Sequence, residues 1–135
     1  MLDCLILGDS IAKGVSDMRK ECVAYVQSGI NSSAYLDKYL IKVGNVPAKT
    51  VIISLGSNDL KDLDTYESLI ALRESVAATQ VYWILPNIKE TKRKQVWTVA
   101  NKYGDHVIDA RNYDRSQDTV HPTYRGYKEI AKDTK

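Results

Sequence analysis

The sequence predicts an α/β fold, an open parallel sheet with helices on both of its faces. Three observations point there. Short apolar runs of strand length alternate along the chain with segments of helical periodicity, the pattern of repeated βαβ units. The run Thr50-Val51-Ile52-Ile53-Ser54-Leu55 is nearly continuous and β-branched, as suits a central strand covered on both sides. The connections are short, and neither an internal repeat nor a linker interrupts the 135 residues, so residues 1–135 are expected to form one domain.

Five runs read as strands: Leu2–Leu7, Val23–Gln27, Thr50–Leu55, Gln80–Leu85 and His106–Asp109. The segment from Ile11 to Lys20 reads as a short helix or an irregular turn. Leu36, Tyr39, Leu40 and Val43 lie on one helical face, with Asn31 or Ser32 able to cap it and Gly44 and Pro47 to stop it. Tyr66, Leu69, Ile70, Val76 and Ala77 form a second stripe. Val96, Ala100 and Tyr103 form a third, followed by Gly104. Pro122 is expected to open a last helix, with Tyr127, Ile130 and Ala131 on its apolar face. Right-handed crossovers lead to the flavodoxin-like strand order 2-1-3-4-5.

Composition narrows the function. Hydrophobic residues are 44% and charged residues 27%, the balance of a folded soluble protein. A net charge of +2 gives no footprint for nucleic acid or an anionic membrane. The densest basic stretch, Lys89, Lys92, Arg93 and Lys94, reads as the solvated face of a helix, with a site for an acidic ligand as the alternative. Two cysteines and two histidines are too few for a zinc cluster. Cys4 suits a small buried hydrophobe, and spacing alone does not decide whether it pairs with Cys22. No basic segment precedes an apolar leader, and no apolar run approaches a membrane span, so the chain as given is expected to be soluble and cytoplasmic.

Ligands of open α/β sheets bind beyond the carboxyl ends of the strands. The chemically suggestive residues all fall there. Ser10 follows Gly8-Asp9 at the end of the first strand. Gly29 follows the second, where a missing Cβ lets a backbone N–H approach a substrate. Gly56-Ser57-Asn58-Asp59 follows the third, and the Asn58 amide can donate hydrogen bonds. Asp118 lies three residues before His121, close enough for its carboxylate to hold one imidazole nitrogen while the other faces Ser10. His106 opens a strand at the opposite edge and reads as structural, and Trp83 lies inside a strand and reads as core.

In combination these residues resemble the SGNH (GDSL-like) hydrolase family, whose blocks stand here as Gly8-Asp9-Ser10, Gly29, Gly56-Ser57-Asn58-Asp59 and Asp118-Thr119-Val120-His121, in the family's order. The resemblance implies a three-layer α/β/α sandwich and hydrolysis of esters with no metal or cofactor. It implies Ser10 as nucleophile, His121 as base and Asp118 as its orienting partner. It also implies an oxyanion hole made by the Ser10 and Gly29 N–H groups and the Asn58 amide. Compact members occur in bacterial and phage genomes. The lean loops favour a short acyl group such as acetyl, with acetylated saccharides as a substrate class and neither nucleic acid nor membrane as partner. Ile11, Lys13, Asn87, Ile88, Val120 and Tyr124 are the expected pocket rim.

Two other readings compete. A non-catalytic carbohydrate-binding or virion-structural module could use the same fold. A flavodoxin or receiver domain fits poorly: a receiver needs an aspartate where Leu55-Gly56 stand, and Gly8-Asp9-Ser10-Ile11 is too short and acidic for a flavin phosphate loop.

Overall fold

The computed structural model describes residues 1–135. Its elements are β1 (Leu2–Gly8), α1 (Ser10–Met18), β2 (Val23–Val26), α2 (Ser32–Val43), β3 (Pro47–Ser54), α3 (Thr65–Ser75), β4 (Ala77–Leu85), α4 (Glu90–Lys102), β5 (His106–Asp109) and α5 (Tyr124–Asp133). A short 3₁₀ turn, Ala110–Asn112, follows β5. All strand pairs are parallel and the order is β2-β1-β3-β4-β5.

Side chains of a strand alternate between its two faces, and this divides the apolar residues into two cores. Leu5, Leu7, Val51, Ile53, Val81, Trp83 and Leu85 face one way, against Tyr35 and Val43 of α2, Leu69 and Leu72 of α3 and Val96 and Val99 of α4. Ile6, Ile52, Ile84 and Ile108 face the other way, against Ile11 and Val15 of α1 and Ile130 of α5. The sandwich therefore carries three helices on one face and two on the other. Val51, Ile52 and Ile53 of β3 are fully buried, as the continuous apolar run requires. No helix is long and apolar enough to cross a membrane.

Element ends depart from the sequence reading where tertiary pairing outweighs local pattern. Val76 and Ala77 leave the second helical stripe: Val76 caps α3 and Ala77 opens β4, paired with Pro47 of a longer β3. Pro122 does not open α5. Thr123 caps that helix, accepting from the Gly126 N–H at 3.2 Å, and Pro122 forms a bridge to Arg115. The segment after Ser10 is a regular helix, and Asn31 rather than Ser32 caps α2.

The basic stretch is a solvated face only in part, with Lys89 and Lys94 exposed. Lys92 is buried and donates to the Leu63 carbonyl at 2.7 Å, Lys89 donates to the Asp59 carbonyl at 3.1 Å, and Arg93 pairs with Asp109. Long basic stems pack against the β3–α3 loop while their heads satisfy its carbonyls, which helical periodicity does not reveal. Trp83 is core, its indole N–H given to Asp105, which also accepts from Arg73. Cys4 and Cys22 form a disulfide across the edge of the sheet where β1 and β2 begin. Closing a loop with a sequence separation of 18 stabilises the fold by roughly 3 kcal/mol through the unfolded chain.

Candidate active site

The loops after β1, β2 and β3 meet beyond the carboxyl edge of three adjacent strands. Gly8 ends β1 with φ +137, a region reserved for glycine, and its closeness to the Ser54 backbone admits no Cβ. The Asp9 N–H donates to the Ser54 carbonyl at 3.0 Å, which fixes the turn into α1. Asp9, not Ser10, is the cap of α1: its Oδ1 accepts from the Ile11 N–H at 3.0 Å and the Ala12 N–H at 3.4 Å. Capping by the neighbour releases the Ser10 hydroxyl, which lies 2.8 Å from His121 Nε2.

His121 is held from its other side. Its Nδ1 lies 2.7 Å from Asp118 Oδ2. Asp118 Oδ1 accepts from the N–H groups of Val120 and His121, each at 2.9 Å, and from the Ser116 hydroxyl at 2.7 Å. The His121 N–H bond, followed by the imidazole, Ser116 and Val120 bonds, holds the Asp118 carboxyl far below its ordinary range, so it is an anion. Ser116 also binds the His121 carbonyl through its N–H at 2.9 Å. These bonds hold Thr119 in a left-handed conformation, φ +60, costly for a β-branched residue. Asn87 donates to the Val120 carbonyl at 2.7 Å and ties this loop to the end of β4.

Three donors lie on the segments that follow β1, β2 and β3. The N–H groups of Ser10 and Gly29 have no acceptor within the protein. Gly29 is exposed with φ +79, and nothing stands within 4 Å of where its Cβ would be. Asn58 Nδ2 donates to the Ile30 carbonyl at 3.1 Å, which joins the two loops and leaves its second hydrogen available. Asp59 locks the same loops from beneath. Fully buried, it accepts from the Ser32 N–H at 2.8 Å and the Thr65 hydroxyl at 2.6 Å.

The expected rim is corrected at several positions. Ile11 is 1% exposed and packs in the core. The i+1 position of a helix that follows a central strand turns back onto the sheet. Asn87 is 2% exposed and acts as the tether of the His121 loop. Tyr124 is exposed but lines a groove between α1 and α5 that holds none of the site residues. Lys13 is exposed on α1 and pairs with Asp17. Ile88 is exposed and Val120 half-buried, and both border the loops named above. No surface cavity is lined by Ser10, Gly29, Asn58 or His121. The serine and imidazole lie on an open shelf. His106 sits at the far edge, stacked on Tyr82 at 4.7 Å. Sequence reasoning gives Asp59 no more than a cap of the turn that follows it; its joining of Ser32 to Thr65 depends on a loop pairing distant in sequence. Ser116 was missed and could have been found as a hydroxyl two residues before an Asx turn.

Asp9 adds a pH dependence. Burial raises its carboxyl from the ordinary 3.8 to about 6, against the lowering bonds from Ser54, Ile11 and Ala12, and its Oδ2 has no partner. The folded state therefore binds this proton more tightly than the unfolded chain. Stabilisation present below pH 3.8 is lost as pH rises through about 6, on the order of 3 kcal/mol in all. The melting temperature of the wild type is expected to fall between pH 4 and pH 8 by more than that of Asp9→Asn. Parallel melting curves for the two proteins would refute it.

No protein-family model matches this chain, and no curated protein matches it in sequence. Solved structures do match. A GDSL-like lipase from Bacteroides thetaiotaomicron superposes with a TM-score of 0.72 at 14% identity, over 97% of this chain and 84% of that one. A carbohydrate acetylesterase from Sinorhizobium meliloti gives 0.63 at 16% identity over 98% of each chain. An acetylxylan esterase from Geobacillus stearothermophilus gives 0.60 at 14%, over 96% of this chain and 90% of that one. These likenesses show that the chain has the α/β/α fold of GDSL-like lipases and acylhydrolases.

Proposed function

We propose that this chain is a serine esterase of the SGNH hydrolase family, acting on short acyl esters, with acetylated saccharides as the substrate class. The observation that carries the reading is the unbroken hydrogen-bonded relay from Ser10 Oγ through His121 to Asp118, at 2.8 and 2.7 Å. The serine hydroxyl has no other bond, and the imidazole has a carboxylate behind it, the arrangement that activates a nucleophile at neutral pH.

In this mechanism Ser10 Oγ attacks the acyl carbon as its proton passes to His121 Nε2. The carbonyl π electrons move to oxygen, which is received by the Ser10 N–H, the Gly29 N–H and the free hydrogen of Asn58. Collapse of the tetrahedral intermediate breaks the ester bond, and the leaving alkoxide takes the proton from His121. Water then attacks the acyl-serine, giving its proton to His121 and releasing the acid as Ser10 recovers the proton. Asp118 stays ionised throughout and stabilises the imidazolium. No step calls on a metal or cofactor. The likeness in fold to two carbohydrate acetylesterases supports a small acyl group carried on a saccharide alcohol.

The test is hydrolysis of p-nitrophenyl acetate, butyrate and octanoate, together with labelling by a fluorophosphonate and mapping of the modified residue. Turnover that falls with chain length and a label on Ser10 are expected. A folded protein that hydrolyses none of these, nor acetylated sugars, and takes no label would favour the non-catalytic carbohydrate-binding module.

A further inference from the structure

Beside the Asn58 loop lies a cavity of 310 Å³ whose walls include Lys61, Lys89 and Lys92. Its positive charge is only partly offset from within. The Lys92 and Lys89 ammonium groups donate to backbone carbonyls of Leu63 and Asp59, which satisfy hydrogens but carry no net charge. Lys61 is exposed and forms no ion pair. Two acidic residues also border the space. Asp59 is buried, with its carboxylate accepting from Ser32 and Thr65, and Glu90 pairs with Arg111, so the three lysines face one carboxylate without a cationic partner of its own. Lys89 is held in a left-handed conformation, φ +62. That strain is sustained where Lys89 turns the chain from β4 into α4 with its ammonium group on the Asn58–Asp59 loop.

We infer that this lysine-lined cavity is a subsite for an anionic group on the substrate, a carboxylate on the saccharide part of the ester. Asp59 borders the cavity and directly follows Asn58, so the subsite shares a loop with one of the proposed oxyanion donors. A neutral ester finds no enclosing wall here. A carboxylated one gains a charge-assisted hydrogen bond from the exposed Lys61 head and the field of two lysines held by backbone carbonyls. This inference rests on the esterase reading for its reaction, but not for its binding.

The experiment compares O-acetylated methyl galacturonoside with O-acetylated methyl galactoside as substrates. Wild type is expected to favour the anionic ester in kcat/KM. The ratio should fall about tenfold in Lys61→Glu, less in Lys61→Gln, and in wild type at high salt, the size of one charge-assisted bond on a screened surface. A ratio that Lys61→Glu leaves unchanged overturns the subsite. If wild type hydrolyses neither ester, the esterase reading is judged separately by the p-nitrophenyl esters and the fluorophosphonate label. Amide NMR shifts on titrating the unacetylated galacturonoside then decide the subsite. Shifts at residues 61 and 89–92 with that ligand and not with the galactoside sustain it, and their absence overturns it.

Discussion

Replacing Ser10 with alanine is expected to lower enzymatic turnover of p-nitrophenyl acetate on the order of 10⁶-fold, close to the buffer background. The melting temperature should move by no more than about 2 °C, because the substitution removes no structural bond. That separation of activity from stability follows from the division of labour between neighbours. Asp9 supplies the cap of α1 and the link to Ser54, so the helix keeps its first-turn donors satisfied without the Ser10 hydroxyl. The hydroxyl is committed to His121 alone. Any residual rate would come from the oxyanion donors acting on water attack. Kinetics and thermal melts on the same preparation check both halves. A mutant that retains more than a few per cent of turnover would remove Ser10 from the mechanism, and one that loses both activity and fold would reassign it as a structural residue.

Gly8→Ala is expected to act in the opposite sense, through the fold. An added Cβ would lie 1.9 Å from the Ser54 carbonyl oxygen, and the φ of +137 is hostile to any side chain. The obstacle is backbone in the central strand and cannot swing aside. The chain must instead separate β1 from β3 at the point where the Asp9 N–H bonds to Ser54. A loss of about 3 kcal/mol or more is expected, a fall of roughly 10 °C in melting temperature for a domain of this size. Protein that still folds should turn over more slowly, because the same shift displaces Ser10 from His121. Alanine at Gly29 provides the contrast: with nothing within 4 Å of its Cβ, only the left-handed strain remains. A Gly8→Ala protein melting like wild type would show that the turn has room to adjust.

Much of this was legible without coordinates. The β-branched run at Val51–Ile53 required burial on both sides and so placed β3 at the centre, and the alternation of strands and helices then implied the 2-1-3-4-5 order found. Such features rest on periodicity and chain continuity, which a sequence carries in full. The same logic brought Ser10, Gly29, Asn58 and His121 to one edge, because each follows a strand of one parallel sheet or the loop after the last.

The remainder depended on contacts between segments far apart in the chain. The choice of Asp9 over Ser10 as cap was settled by Ser54, 45 residues away, whose hydroxyl draws Asp9 inward. Ile11 and Asn87 were expected on the rim and are buried, because the direction a residue faces after a strand depends on what packs over it. The basic residues of α4 show the limit most plainly. On a helical wheel they form a polar face, yet Lys92 is 3% exposed and braces a loop about thirty residues earlier. Sequence determined the architecture and the kinds of group at the cleft, since these follow from local pattern. Tertiary structure alone decided which of those groups is free to react, because a donor or charge is available only when no distant partner has claimed it.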